Sequence, residues 1–186
     1  MGILSSQNPL VSKLSKIMLS NIGMAILFLA AIFTKIALAA FAVWSYDLVY
    51  AAKAATINFQ TDPNSVTPWI QFLNLMYRTW LLLPLDHVRL EDWLVTGSAF
   101  PENASAHILV LMFKTPLIVA DLLAAVGVYF LAAKLSLNFA RLCALAWMWN
   151  PLVTLTVEMQ GAIDIIPATL ALFAIVFLLY GKITLS

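Results

Sequence analysis

From Ile17 to Trp44 the chain carries a single charged side chain, Lys35, in an otherwise apolar run. A helix crosses a bilayer with about 20 mostly apolar residues, and this run is longer than the roughly 7–15 residues of a signal-peptide core. The pattern returns from Ala106 to Ala133, from Leu137 to about Val157, and from Ile165 to Tyr180. The last run is short and requires tilt or local thinning to fit. Composition points the same way. Of the 186 residues 63% are hydrophobic and 10% charged, whereas a soluble domain carries about 25% charged residues. The fold class expected is an all-α integral membrane protein, a single domain over residues 1–186 with about four transmembrane helices.

Several functions are excluded at this level. A formal charge of +1 leaves no basic footprint for nucleic acid. The single Cys143 cannot form an internal disulfide or a Cys-based zinc site. The six glycines are scattered and make no nucleotide-binding loop, and His87 and His107 have no carboxylates at metal-ligand spacing. No metal or cofactor is therefore implied. The lack of an internal repeat argues against a transporter.

Between the first two runs lies a segment, residues 45–105, too long to be a plain connection. Within it Trp69–Leu85 is apolar enough to suggest another span, but Gln71, Asn74 and Arg78 interrupt it on one helical face and Pro84 ends it. An amphipathic helix lying in the interface is the expected structure. Charge placement supports that choice. With four spans and both termini cytoplasmic, Lys13, Lys16, Lys134, Arg141 and Lys182 all lie inside, without an acidic residue. The loop then lies outside with Asp47, Asp62, Asp86, Glu91, Asp92 and Glu102, as the positive-inside rule favours. Asn103-Ala104-Ser105 is a glycosylation sequon on that outer side.

Ionisable groups within a span cost about 2.5–3.5 kcal/mol each and mark functional candidates. His107, Lys114 and Asp121 follow at seven-residue intervals, which puts them on one stripe of the second span. Lys35 lies at a depth similar to that of Lys114. Two readings stay open. Asp121 pairs with Lys35 or Lys114 to neutralise both, or the cations line a polar cavity for an anionic lipid headgroup. Past Asn150-Pro151 the chain turns polar through Thr154, Thr156, Glu158, Gln160, Gly161 and Asp164. This stretch is either a tight outer turn or a re-entrant segment facing the same cavity, with Gln160 and Asp164 as candidate contacts. Asp47 follows the aromatic residues Trp44 and Tyr46, where it serves as a helix N-cap or as a general base toward a lipid-linked substrate.

Taken together, SYDLVYAAKAA (45–55), TPWIQFLNL (67–75), SAHILVLMFKTPLIVADLL (105–123) and NPLVTLTVEMQGAID (150–164) resemble the polytopic C-type glycosyltransferase superfamily, over about residues 25–180. Members use polyprenyl-phosphate sugars on the extracytoplasmic side and usually have eight or more spans, so the resemblance covers an amino-terminal half. It implies Asp47 as the catalytic base of the first external loop. It also implies Lys35 and Lys114 as holders of the donor phosphate, with His107, Asp121, Gln160 and Asp164 lining the substrate site. The expected partners are membrane lipid, a polyprenyl-phosphate sugar and further transmembrane chains. The alternative expectation is a non-catalytic transmembrane subunit that stabilises a larger complex.

Overall fold

A computed structural model describes residues 20–42, 53, 67–85 and 104–181. These residues are helical throughout, apart from short turns. Helix α1 (Asn21–Phe41) begins where the Ser20 hydroxyl accepts a hydrogen bond from the Gly23 N–H at 3.1 Å. That cap starts the helix later than the apolar run from Ile17 suggests, because the side-chain oxygen takes up an amide that the first turn cannot satisfy. At 1.5 Å per residue α1 is about 31 Å long, close to the thickness of the hydrocarbon core. Its buried face is Met24, Ala31, Lys35 and Ala39. The small alanines let neighbouring backbones approach closely.

Helix α2 (Pro68–Leu81) is the amphipathic segment. Thr67 caps it and Pro68 occupies its first position, where the missing N–H costs nothing. It packs on the first turns of helix α3 (Ala104–Ala133) through Leu73, Trp80, Leu109, Val110 and Phe113. The Trp80 indole donates to the Ser105 carbonyl at 2.9 Å. Gln71 and Arg78 are exposed, but Asn74 is buried. The expected polar face is thus narrower than three residues. Asn74 lies at the edge of that face, 40° around the helix from Ile70 and 60° from Tyr77, both of which pack against the α2–α3 core.

The long α3 is the central element, touching α1, α2, the third span and the last helix. The third span is broken. Helix α4 (Leu137–Met148) is capped by Ser136 and ends at Trp149. The Asn150 side chain then caps a single turn, α5 (Pro151–Val153), accepting from the Leu152 N–H at 2.9 Å. The chain continues as a π-helical turn, Thr154–Met159, two residues beyond the expected end at Val157. Gly161 takes a φ of 75°, which side-chain-bearing residues rarely adopt, and reverses the chain into helix α6 (Ile165–Tyr180).

Three helical stretches are long and apolar enough to cross a membrane: Asn21–Phe41, Ala104–Ala133 and Leu137–Met159. The apolar α6 is shorter, at 16 residues. Large exposed apolar side chains such as Ile22, Phe33, Leu170 and Phe177 cover the outward faces of α1 and α6, as a lipid-facing protein requires. Contacts between helices fix their relative directions. Asn21 meets Arg141 and Lys35 meets Glu158, so α1 runs parallel to the third span. The Thr169 hydroxyl bonds the Ala120 carbonyl and the Tyr180 hydroxyl bonds the Phe130 carbonyl, so α6 runs parallel to α3.

Between those two bonds α3 and α6 touch at Gly127. A β-carbon there would lie 2.7 Å from Leu172 Cδ2 and 2.9 Å from its Cγ. Gly127→Val should therefore push α6 off α3 and lower stability by about 1–3 kcal/mol, the usual cost of overpacking. The check is the midpoint of thermal unfolding in detergent. Ala133→Val, at the half-buried end of α3, should shift it far less.

Candidate functional site

Where α1, α3 and the third span meet, four ionisable side chains are buried together: Lys35, Lys114, Asp121 and Glu158. The Lys35 ammonium lies 2.9 Å from Asp121 Oδ2 and 3.1 Å from Glu158 Oε1. It also donates toward the Thr154 hydroxyl at 3.4 Å. Asp121 Oδ1 accepts from the Trp147 indole at 2.8 Å. Helix geometry places every one of these groups. Trp147, Thr154 and Glu158 are seven and four residues apart along the third span, and the π-helical turn carries Glu158 inward toward α1. Such turns are frequent at functional sites.

Lys114 has a different role from Lys35. Its ammonium donates to the carbonyls of Ala42, Glu158 (2.6 Å) and Met159 (3.1 Å). All three of its protons are thus directed at backbone. It ties the end of α1 to the end of the π-helical turn, and satisfies carbonyls that a helix terminus leaves without partners. Two ammonium groups and two carboxylates make the cluster formally neutral, which is how charges survive away from water. Glu158 Oε2 remains buried without a hydrogen-bond partner.

The other residues singled out from sequence are less central. His107, half-buried near the start of α3, has Nδ1 2.9 Å from the Ala40 carbonyl. A carbonyl only accepts, so the proton sits on Nδ1. The ring also packs against Phe41, with centroids 4.8 Å apart. Gln160 and Asp164 lie on the exposed side of the turn after the third span, outside the buried cluster. Asp164 stands at the N-cap position of α6 and makes no side-chain cap bond. Asp47, Trp44, Tyr46 and the sequon residue Asn103 lie outside the described residues. The seven-residue stripe thus brings Lys114 and Asp121 together with Lys35. Glu158 joins them from the polar stretch after Pro151, and its signal in the sequence is its position within helical reach of Thr154 and Trp147. Among the described residues no group of three or more His, Cys, Asp or Glu is placed to hold a metal ion.

The carboxylates are sealed from solvent, but Lys35 borders a cavity. A lateral cavity of about 340 Å³ opens between α1 and the third span, lined by Thr34, Lys35, Leu38, Trp149, Thr154 and Met159 among others. Lys35 is the cation at its inner wall. Comparison of the chain with protein-family models, curated proteins and solved structures gives no match.

Because one lysine serves two carboxylates, its removal and theirs are not equivalent. Glu158→Gln leaves a one-to-one Lys35–Asp121 pair. Lys35→Met strands two carboxylates. We expect Lys35→Met to cost about 3–5 kcal/mol, the range for breaking a buried ion pair, and Glu158→Gln clearly less. Unfolding by denaturant in detergent, followed by circular dichroism, gives the comparison. Equal losses would show that the two carboxylates do not share Lys35.

Proposed function

We propose that this chain is a membrane glycosyltransferase-like protein that uses a polyprenyl-phosphate sugar on the extracytoplasmic face. The observation that carries the reading is the lateral cavity that Lys35 lines at depth. A lipid-linked donor reaches its enzyme from within the bilayer, so its site must combine a sideways entrance with polar groups at depth. Amphipathic ligands are otherwise excluded from a packed helix bundle. The resemblance described above supplies the chemistry. In it, the Asp47 carboxylate takes the proton of an acceptor hydroxyl, whose oxygen attacks the anomeric carbon. The bond from that carbon to the phosphate oxygen breaks with inversion, and polyprenyl phosphate leaves with the electron pair.

In this proposal Lys35 divides its positive charge among Asp121, Glu158 and the donor phosphate. Lys114 is a positioning residue. It holds the Ala42 carbonyl five residues before Asp47, and the Glu158 and Met159 carbonyls just before Gln160. Its replacement therefore disturbs the geometry of both approaches without removing a phosphate contact. The topology belonging to this reading has four spans, both termini cytoplasmic and residues 45–105 outside.

A second reading is favoured by one observation. Lys35 and Lys114 are already fully engaged by protein groups, which is all that a non-catalytic subunit of a larger membrane complex requires. The two readings separate on turnover. Reconstituted with a polyprenyl-phosphate sugar and an acceptor, alone or with copurifying chains, the protein should release polyprenyl phosphate. Asp47→Asn should lower that rate at least 100-fold, within the range attributed to a general base, with folding unchanged. Turnover unaffected by Asp47→Asn would remove Asp47 from the mechanism, and an inert complex would leave the subunit reading.

Topology is tested separately. In a Cys143→Ser background, cysteines at Asn64 and Glu91 should both react with a membrane-impermeant maleimide added from outside. Reaction at Glu91 only after permeabilisation would mean that Trp69–Leu85 crosses the bilayer.

A further inference from the structure

A second groove lies toward the opposite end of the bundle, on the other flank of α1. It has a volume of about 440 Å³ and runs between α1, α3 and α4. Its walls include Phe28 and Ile32 of α1, Val126 and Phe130 of α3, and Ala144 and Met148 of α4. No polar side chain other than Tyr129 contributes to it. Two turns of a helix about 10 Å across fill close to twice that volume, so the space suits a single flexible hydrocarbon chain better than a protein segment.

The groove's end supplies the other half of the argument. On α4, Arg141, Ala144 and Met148 are spaced three and four residues apart, so the guanidinium stands about one turn beyond the groove wall on the same face. Arg141 donates to the Asn21 side chain at 2.9 Å, across from α4 to the start of α1. On the other side, Phe130 of the wall packs edge-on against Tyr180, and the Lys134 ammonium sits 3.7 Å above the Tyr180 ring. Tyrosines with Lys and Arg beside them form the band found at the level of lipid headgroups. An apolar slot that ends at this band, beside an arginine able to fork onto phosphate, has the shape and charge of a phospholipid.

We infer that the groove between α1, α3 and α4 binds one anionic phospholipid, with an acyl chain against Phe28, Val126 and Ala144 and its phosphate at Arg141. This site adjoins the Lys35 cavity across Met148, which lines both, and does not depend on sugar transfer. The test is native mass spectrometry of the full chain released from micelles doped with equal amounts of phosphatidylglycerol and phosphatidylcholine. We expect one phosphatidylglycerol to be retained in preference to phosphatidylcholine. Arg141→Gln should reduce that preference about five-fold, the order for one basic group facing anionic lipid. Val126→Trp, which fills the groove from a partly exposed position, should abolish retention of both lipids. It leaves Arg141 intact and so serves if Arg141→Gln fails to fold. Equal retention of the two lipids, unchanged selectivity in Arg141→Gln, or lipid still held by folded Val126→Trp would overturn the inference. A dimer that Val126→Trp dissociates would also overturn it, in favour of a second copy in the groove.

Discussion

One ammonium group joins three separate parts of this chain. Lys35 enters on α1, yet its partners come from the middle of α3 and from the π-helical end of the third span. In hydrocarbon none of these groups can be satisfied by water, and each alone would cost several kcal/mol. Apolar surface gives lipid-facing helices little reason to choose one another, since lipid tails are as apolar as leucine. The charges supply what the leucines do not: a reason for α1 to sit at one depth and rotation against α3. Small residues at Ala31 and Ala39 then permit the approach that a 2.9 Å contact demands.

Lys114 extends this order to the end of the bundle. By bonding carbonyls at the close of α1 and of the π-helical turn, it fixes two chain exits beside one another. The exits lead, in sequence, toward Asp47 and toward Gln160. The sequence suggests similar depths for the two lysines, but Lys114 meets Ala42, seven residues or about 10 Å beyond Lys35 along α1, and the two differ in their acceptors. Lys35 meets carboxylates and so sets the charge balance. Lys114 meets peptide carbonyls, so its effect is chiefly geometric. A lysine suits the second task because its three donors radiate from a single atom, whereas arginine's planar fork would fit two of three converging carbonyls at best.

Much of this arrangement was legible in the sequence, and the departures have identifiable causes. The seven-residue interval between Lys114 and Asp121 puts them on one stripe whatever the fold, and a lone Lys35 in an apolar run demands a counter-charge. The α6 boundaries, Ile165 and Tyr180, follow from the apolar run itself. Glu158 is harder to assign because it falls just past the expected end of the third span at Val157, in a polar stretch that reads equally as an outer turn. In fact Pro151 starts a new turn, and the helix resumes with π geometry that aims Glu158 inward. Asn74 belongs to a polar face by periodicity, which gives angles but not where a packing arc ends. The extra breadth lies on the side of Ile70 and Tyr77, which pack against the core at angles between those of Leu73 and Asn74. Gln160 and Asp164 share the polar stretch with Glu158, but the reversal at Gly161 leaves them on the outside.

The distance in sequence between Lys35 and its partners has a consequence for synthesis. Ribosomes deliver α1 to the membrane long before Asp121 or Glu158 has been translated. The first helix must therefore partition with its ammonium uncompensated, at about 2.5–3.5 kcal/mol on insertion scales. Its Ile, Leu and Phe side chains, at about 0.3–0.6 kcal/mol each, are numerous enough to offset that burden. Until α3 arrives, the lysine has every incentive to stay near the translocon or to snorkel toward headgroups. Nascent α1 is thus held in a provisional register, and its final depth is set only when the first carboxylate emerges.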